Sequence, residues 1–117
     1  MILHKKDIPD MTTKKKPKIY ISLPISGHPY NERKQTADLT AAMLSRNGYD
    51  PVNPFMVYAG TRPDYEDHIC ADLRAMLDCD AIYFCEGWEK SLGCNIEHDT
   101  AMRFMEADKK NFKIIYE

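Results

Sequence analysis

Asp72 and Glu97 are the residues of this 117-residue chain whose types and positions most invite chemistry. On a wheel of about 100° per residue, a helix over residues 64–78 gathers Tyr65, Ile69, Leu73 and Met76 into one apolar sector, with Asp72 about 20° from Tyr65. A helix over residues 94–109 has an apolar stripe of Ile96, Thr100, Ala101, Phe104 and Ala107, and Glu97 falls in its middle. A carboxylate on an apolar face is costly unless it is paired, hydrogen-bonded or at the mouth of a pocket. Each acid alone has a bland explanation: a helix cap, or for Glu97 a first turn where the helix dipole favours negative charge. Two such acids, on helices flanking one strand, favour a site. Facing one hollow, they can cleave a glycosidic bond: one attacks or stabilises the electron-poor anomeric carbon, the other handles protons or sugar hydroxyls. A glutamate near a helix N-terminus would hold its charge cheaply, as a nucleophile requires. Backbone N–H groups around Ser91 and Gly93 face the same space and can hold a phosphate or sugar oxygen.

The elements that must position these groups alternate along the chain. Residues 18–24 read as a short buried strand, and residues 24–30 as a loop punctuated by two prolines and a glycine. Asn31 is a candidate cap for a helix reaching Asn47 and stopping at Gly48, with Leu39, Met43 and neighbouring residues as its apolar side. Residues 49–55 carry two prolines, so a strand there belongs at a sheet edge. Residues 80–85 form a continuous apolar run of the kind buried on both faces, and residues 112–116 read as the last strand. Strands alternating with helices predict an α/β fold: a small doubly wound parallel sheet of four to five strands, a Rossmann- or flavodoxin-like three-layer sandwich. With the edge strand second in the chain, the strand order reverses between the first and third strands. Ligands in such sheets bind beyond the strand C-termini at that reversal, which singles out loops 24–30 and 86–94.

Length and composition bound what this site serves. A chain of 117 residues with 44% hydrophobic and 29% charged residues fits one globular domain. No apolar run approaches the roughly 20 residues of a membrane helix, and no secretory signal follows the first lysines. The net charge of −2 divides into +3 over residues 1–17 and −5 over the rest. We therefore expect a basic flexible tail over 1–17 and a domain over 18–117; Met11 is a candidate second start, which would make residues 1–10 an extension. An acidic body disfavours binding to nucleic-acid polymers, which needs a basic face. Cys70, Cys79, Cys85 and Cys94 include no Cys-x-x-Cys pair, so free thiols in a reducing cytoplasm are expected rather than a metal site. The segment 90–94 is neither a Walker loop nor a G-x-G-x-x-G turn, so triphosphate hydrolysis and hydride transfer lose their usual supports.

Four segments, in this order and spacing, give the chain a specific likeness: Ile19-Tyr-Ile-Ser-x-Pro-Ile-Ser-Gly27, Val52-Asn-Pro54, Asp72-Leu-x-x-Met-Leu-x-Cys-Asp80, and Gly87-Trp-x-x-Ser-Leu-Gly-x-x-x-Glu97. Over residues 18–117 the sequence resembles the nucleoside 2-deoxyribosyltransferase superfamily, which includes the 2′-deoxynucleoside 5′-phosphate N-hydrolases, and within it a branch of small bacterial and phage domains. The resemblance implies an enzyme that cleaves or transfers the N-glycosidic bond of a (deoxy)nucleoside or its 5′-monophosphate. By this likeness Glu97 is the nucleophile that forms a covalent glycosyl-enzyme, Asp72 contacts the sugar and helps protonate the departing base, and Tyr20 lies near Glu97. Ser91 stands where the nucleotide hydrolases contact phosphate and the transferases usually carry an aspartate for the free 5′-hydroxyl, so the likeness leans toward a 5′-monophosphate substrate and hydrolysis. Ile25, Ser26 and Gly27 match the loop over sugar and base.

The likeness has departures. Ser26 occupies a position that is basic in the nucleotide hydrolases; Arg33, Lys34 or Lys90 would have to replace that charge. The family completes its pocket with a residue of a neighbouring subunit, so a homodimer or higher homo-oligomer is implied, although no C-terminal residue here matches the one donated. Trp88 suits stacking on a base, covering the core or joining an interface. The implied chemistry requires no cofactor or metal. The alternative reading is a non-catalytic nucleotide sensor on the same fold.

Overall fold

The computed structural model describes residues 15–117. Most of the expected basic tail, Met11 included, lies outside the described residues. The elements are β1 (Lys18–Ser22), α1 (Tyr30–Arg46), β2 (Asp50–Val52), α2 (Tyr65–Leu77), β3 (Ala81–Phe84), α3 (Leu92–Glu106) and β4 (Lys113–Tyr116), with short 3₁₀ turns at Pro54–Met56 and Trp88–Lys90.

The four strands form one all-parallel sheet in the order β2-β1-β3-β4. The proline-bearing β2 is an edge strand, as expected, because Pro51 has no N–H to offer a second neighbour. The chain runs outward from β1 to β2 and then back across to β3 and β4. The order therefore reverses between β1 and β3, and these two pair directly, with Tyr20 opposite Ile82 and Ser22 opposite Phe84.

Period-two alternation divides the sheet into two faces. Ile19, Ile21, Ala81 and Tyr83 pack with Leu23, Cys85 and the α1 residues Ala37 and Leu44. Tyr20, Ile82 and Phe84 pack on the opposite face with Met76 of α2, Ala101 of α3, and Cys79 and Phe112. The result is the three-layer α/β sandwich, with α1 alone on one side and α2 and α3 together on the other. No helix among the described residues is long and apolar enough to cross a membrane.

Three boundaries differ from the sequence reading. Helix α1 begins two residues earlier, with Pro29 rather than Asn31 at its N-cap and no side-chain cap bond, so Asn31 lies inside the first turn. Its buried side is Ala37 and Leu44, supported by Ala41 and Met43, while Leu39 is 65% exposed. Leu39 is two residues from Ala37, about 200° round the helix, and so points away from the sheet. Helix α3 begins at Leu92 rather than Cys94, because the Ser91 side chain caps it by accepting from the Cys94 N–H at 3.2 Å. It ends at Glu106, so Ala107, expected in the apolar stripe, is its exposed C-cap.

Candidate active site

Each acid is placed by the helix that carries it. Helix α2 starts in a reciprocal capping box: Asp64 accepts from the Asp67 N–H at 2.8 Å, and the Asp67 carboxylate accepts from the Asp64 N–H at 3.1 Å. That fixes the entry of α2 and its rotational phase. Met76 enters the core, Leu73 packs against it, and Asp72 and Ile69 turn toward the strand C-termini. The earlier start of α3 moves Glu97 to the sixth helical position. It therefore lies in the second turn, beyond the reach of a first-turn dipole explanation. Glu97 is 6% exposed, the one buried acid among the described residues.

Tyr20, Asp72 and Glu97 line the same cavity of about 310 Å³, at the lower end of the range for small-molecule sites. Ile25 and Ser26 from the loop after β1, and Ser91, Gly93 and Cys94 from the start of α3, complete its floor and one side. Tyr30, Phe55, Val57, Tyr65, His68 and Ile69 form the remaining wall. The site opens where the strand order reverses. A wider groove at the opposite end of the sheet, beside Lys18, Asp50, Asp78 and Asp80, holds none of the predicted residues.

Two residues named from the sequence do not line this cavity. Gly27 has φ +81° and supplies the turn of the loop that carries Ile25 and Ser26, a role that suits glycine. Trp88 lies over His98 and Tyr116, with ring centroids at 4.5 and 5.6 Å, and packs on Phe84. His98 Nε2 and the Tyr116 hydroxyl are 2.8 Å apart beneath it. Of the roles open to Trp88, covering the core describes this packing, and stacking on a base inside the cavity does not. The three cations considered as phosphate partners, Arg33, Lys34 and Lys90, are also absent from the cavity wall. Arg33 instead pairs with Glu32 and reaches the Pro24 carbonyl.

Sequence reasoning missed Ser22. It is wholly buried at the end of β1, and its hydroxyl donates to Glu97 Oε1 at 2.8 Å. The available signal was period two: Ser22 shares the sheet face of Tyr20, two residues earlier.

The electrostatics follow from burial. Desolvation pushes the Glu97 carboxyl up to about 7, partly offset by the Tyr20 and Ser22 hydroxyls and reinforced by the charge of Asp72. Desolvation pushes Asp72 up to about 6, with His68 opposing it. Tyr20 is raised well above the usual phenol range by burial and by both acids, so its hydroxyl stays protonated. The expectation that Glu97 holds its charge cheaply is therefore corrected: burial outweighs the helix dipole at this depth. Neither acid is in an ion pair among the described residues.

A raised carboxyl implies a stability that falls with pH. Between its ordinary value of 4.5 and about 7, Glu97 keeps a proton in the folded state that the unfolded chain has released. That contribution is lost as pH rises through about 7, which makes the ionised Glu97 a burden of about 3 kcal/mol at pH 8. Glu97→Gln is thus expected to raise the melting temperature by roughly 10 °C at pH 8 and by little at pH 5. Equal shifts at both pH values, measured by scanning calorimetry, would show that Glu97 titrates normally.

The fold and this cavity define a small doubly wound α/β domain with two raised carboxyls at its topological switch point. The chain belongs to the family described as Domain of unknown function (DUF4406), whose model matches residues 17–108. That span contains every residue lining the cavity. No curated protein matches the sequence.

Proposed function

We propose that this protein cleaves the N-glycosidic bond of a nucleoside through Glu97, in the manner of the nucleoside 2-deoxyribosyltransferases and related N-hydrolases. The observation that carries this reading is the convergence of Glu97, Asp72 and Tyr20 on one open cavity. A Glu97 oxygen attacks the anomeric carbon, the carbon–nitrogen bond breaks, and its electron pair leaves with the base. The Asp72 carboxyl protonates the departing nitrogen. In the second half, Asp72 takes a proton from water as the water oxygen displaces Glu97; a second base in place of water gives transfer. The Tyr20 hydroxyl, kept neutral, orients the Glu97 carboxylate.

The charge on the wall favours an uncharged nucleoside over its 5′-monophosphate. Its ionisable groups are two carboxylates, His68, the thiol of Cys94 and three tyrosines, and no lysine or arginine lines it among the described residues. A phosphate dianion would face two acids lining the same cavity. Incubating the protein with deoxynucleosides, ribonucleosides and their 5′-monophosphates, with and without a free acceptor base, tests the reading by product separation. Free base is expected from at least one nucleoside, at a kcat/KM roughly tenfold or more above that of its monophosphate. Tight binding with no base release over hours would instead identify a sensor.

A second copy of the chain is part of this proposal. Tyr30 and Tyr65 on the wall are 63% and 43% exposed, and Met56, Tyr58 and Leu92 beside wall residues are also exposed. Such a ring of large apolar side chains suits burial against a homo-oligomeric partner.

A further inference from the structure

Ser22 is a serine in a strand whose other inward positions are apolar or aromatic. Its side chain is wholly buried, and its hydroxyl donates to Oε1 of Glu97 at 2.8 Å. A buried hydroxyl is retained at low cost only when it is hydrogen-bonded, and this one spends its proton on the proposed nucleophile. The two groups lie 75 residues apart in the chain and come from different layers, so the bond also ties β1 to α3 at the cavity floor. We propose that Ser22 is a positioning residue for Glu97: its hydroxyl pins Oε1 and leaves Oε2 as the oxygen that faces the cavity. This rests on the reading of Glu97 as nucleophile, and it selects which carboxylate oxygen meets the anomeric carbon.

Fixing one oxygen has two consequences. It removes rotation of the carboxylate about its last bond, so the attacking lone pair is already oriented when substrate arrives. It also stabilises the charged form against burial, because the donated hydrogen bond is stronger to a carboxylate than to a carboxyl. The groups facing Glu97 from every side are Tyr20 and Ser22 on β1, Asp72 with His68 on α2, and Cys94 on α3, while β3 presents apolar residues. Among these, the Tyr20 and Ser22 hydroxyls favour the ionised form, Ser22 through its bond to Oε1, and Asp72 is the group whose charge opposes ionisation.

The test is a carboxyl ¹³C NMR titration of Glu97 in the parent, Ser22→Ala and Ser22→Thr, alongside pH profiles of base release. In Ser22→Ala the Glu97 midpoint is expected to move up by about one pH unit. Its kcat is expected to fall about tenfold more at pH 6 than at pH 9, with KM nearly unchanged because Ser22 does not touch substrate. Ser22→Thr keeps the hydroxyl and should restore the midpoint. A parent-like titration in Ser22→Ala overturns the proposal, even in an active enzyme. A shifted midpoint in a protein that releases no base upholds the hold of Ser22 on Glu97 and refutes the reaction instead.

Discussion

Glu97→Gln is expected to lower base release by at least about 10³-fold while leaving the protein folded and, above neutral pH, more stable. The amide has the shape of the carboxyl and can accept the Ser22 hydrogen bond through its oxygen, so the cavity floor should survive. What it loses is the lone pair that forms the glycosyl-enzyme. The pairing of lost rate with gained stability separates catalytic loss from a damaged fold. A structural glutamate would show the reverse, because removing a needed partner from a buried network destabilises it. Mass spectrometry gives an independent check: a rapidly quenched reaction of the parent should contain a fraction heavier by one sugar residue, and the variant should not. A Glu97→Gln protein that cleaves nucleosides at the parent rate would remove this residue from the mechanism.

That a buried acid can be singled out from one sequence follows from how strongly helix period constrains a face. The α2 wheel placed Asp72 beside Tyr65 and Ile69, and all three line the cavity. The proline at 51 put β2 at an edge, and the edge position located the reversal between β1 and β3. The start of α3 was less legible. Leu92 and Gly93 read as loop because glycine is a poor helix former, yet the Ser91 cap outweighs that penalty and begins the helix before it. Those two residues matter, since they move Glu97 out of the first turn and leave burial in control of its charge. Ser22 escaped notice for a different reason. A serine inside an apolar strand has no type-specific signal, and its partner is 75 residues away, fixed only when α3 packs on the sheet. Trp88 shows the opposite limit: the loop position was right, but a tryptophan beside two other ring-bearing side chains packs on them rather than into the cavity.

The pH dependence of the reaction should report both acids. Glu97 must be ionised to attack and Asp72 must carry the proton that the base receives, yet burial sets Glu97 near 7 and Asp72 near 6. The productive form is therefore the minor singly protonated one, about one molecule in ten of those holding a single proton. The profile of kcat/KM should be a narrow bell with its maximum near pH 6.5, between the two values. Asp72→Asn removes the donor and should lower the maximum rate by about 10²–10⁴-fold. It should also change the shape of the curve. With no proton to lose, the alkaline limb disappears, and the residual rate climbs to a plateau as Glu97 ionises. That climb should begin at lower pH than in the parent, because the charge of Asp72 no longer opposes ionisation of Glu97. A nucleoside whose base leaves readily without protonation should recover most of the lost rate in Asp72→Asn. If the variant instead keeps the bell and merely weakens binding, Asp72 orients the sugar, and the proton for the base comes from elsewhere in the cavity, where His68 on the same helix is an alternative donor.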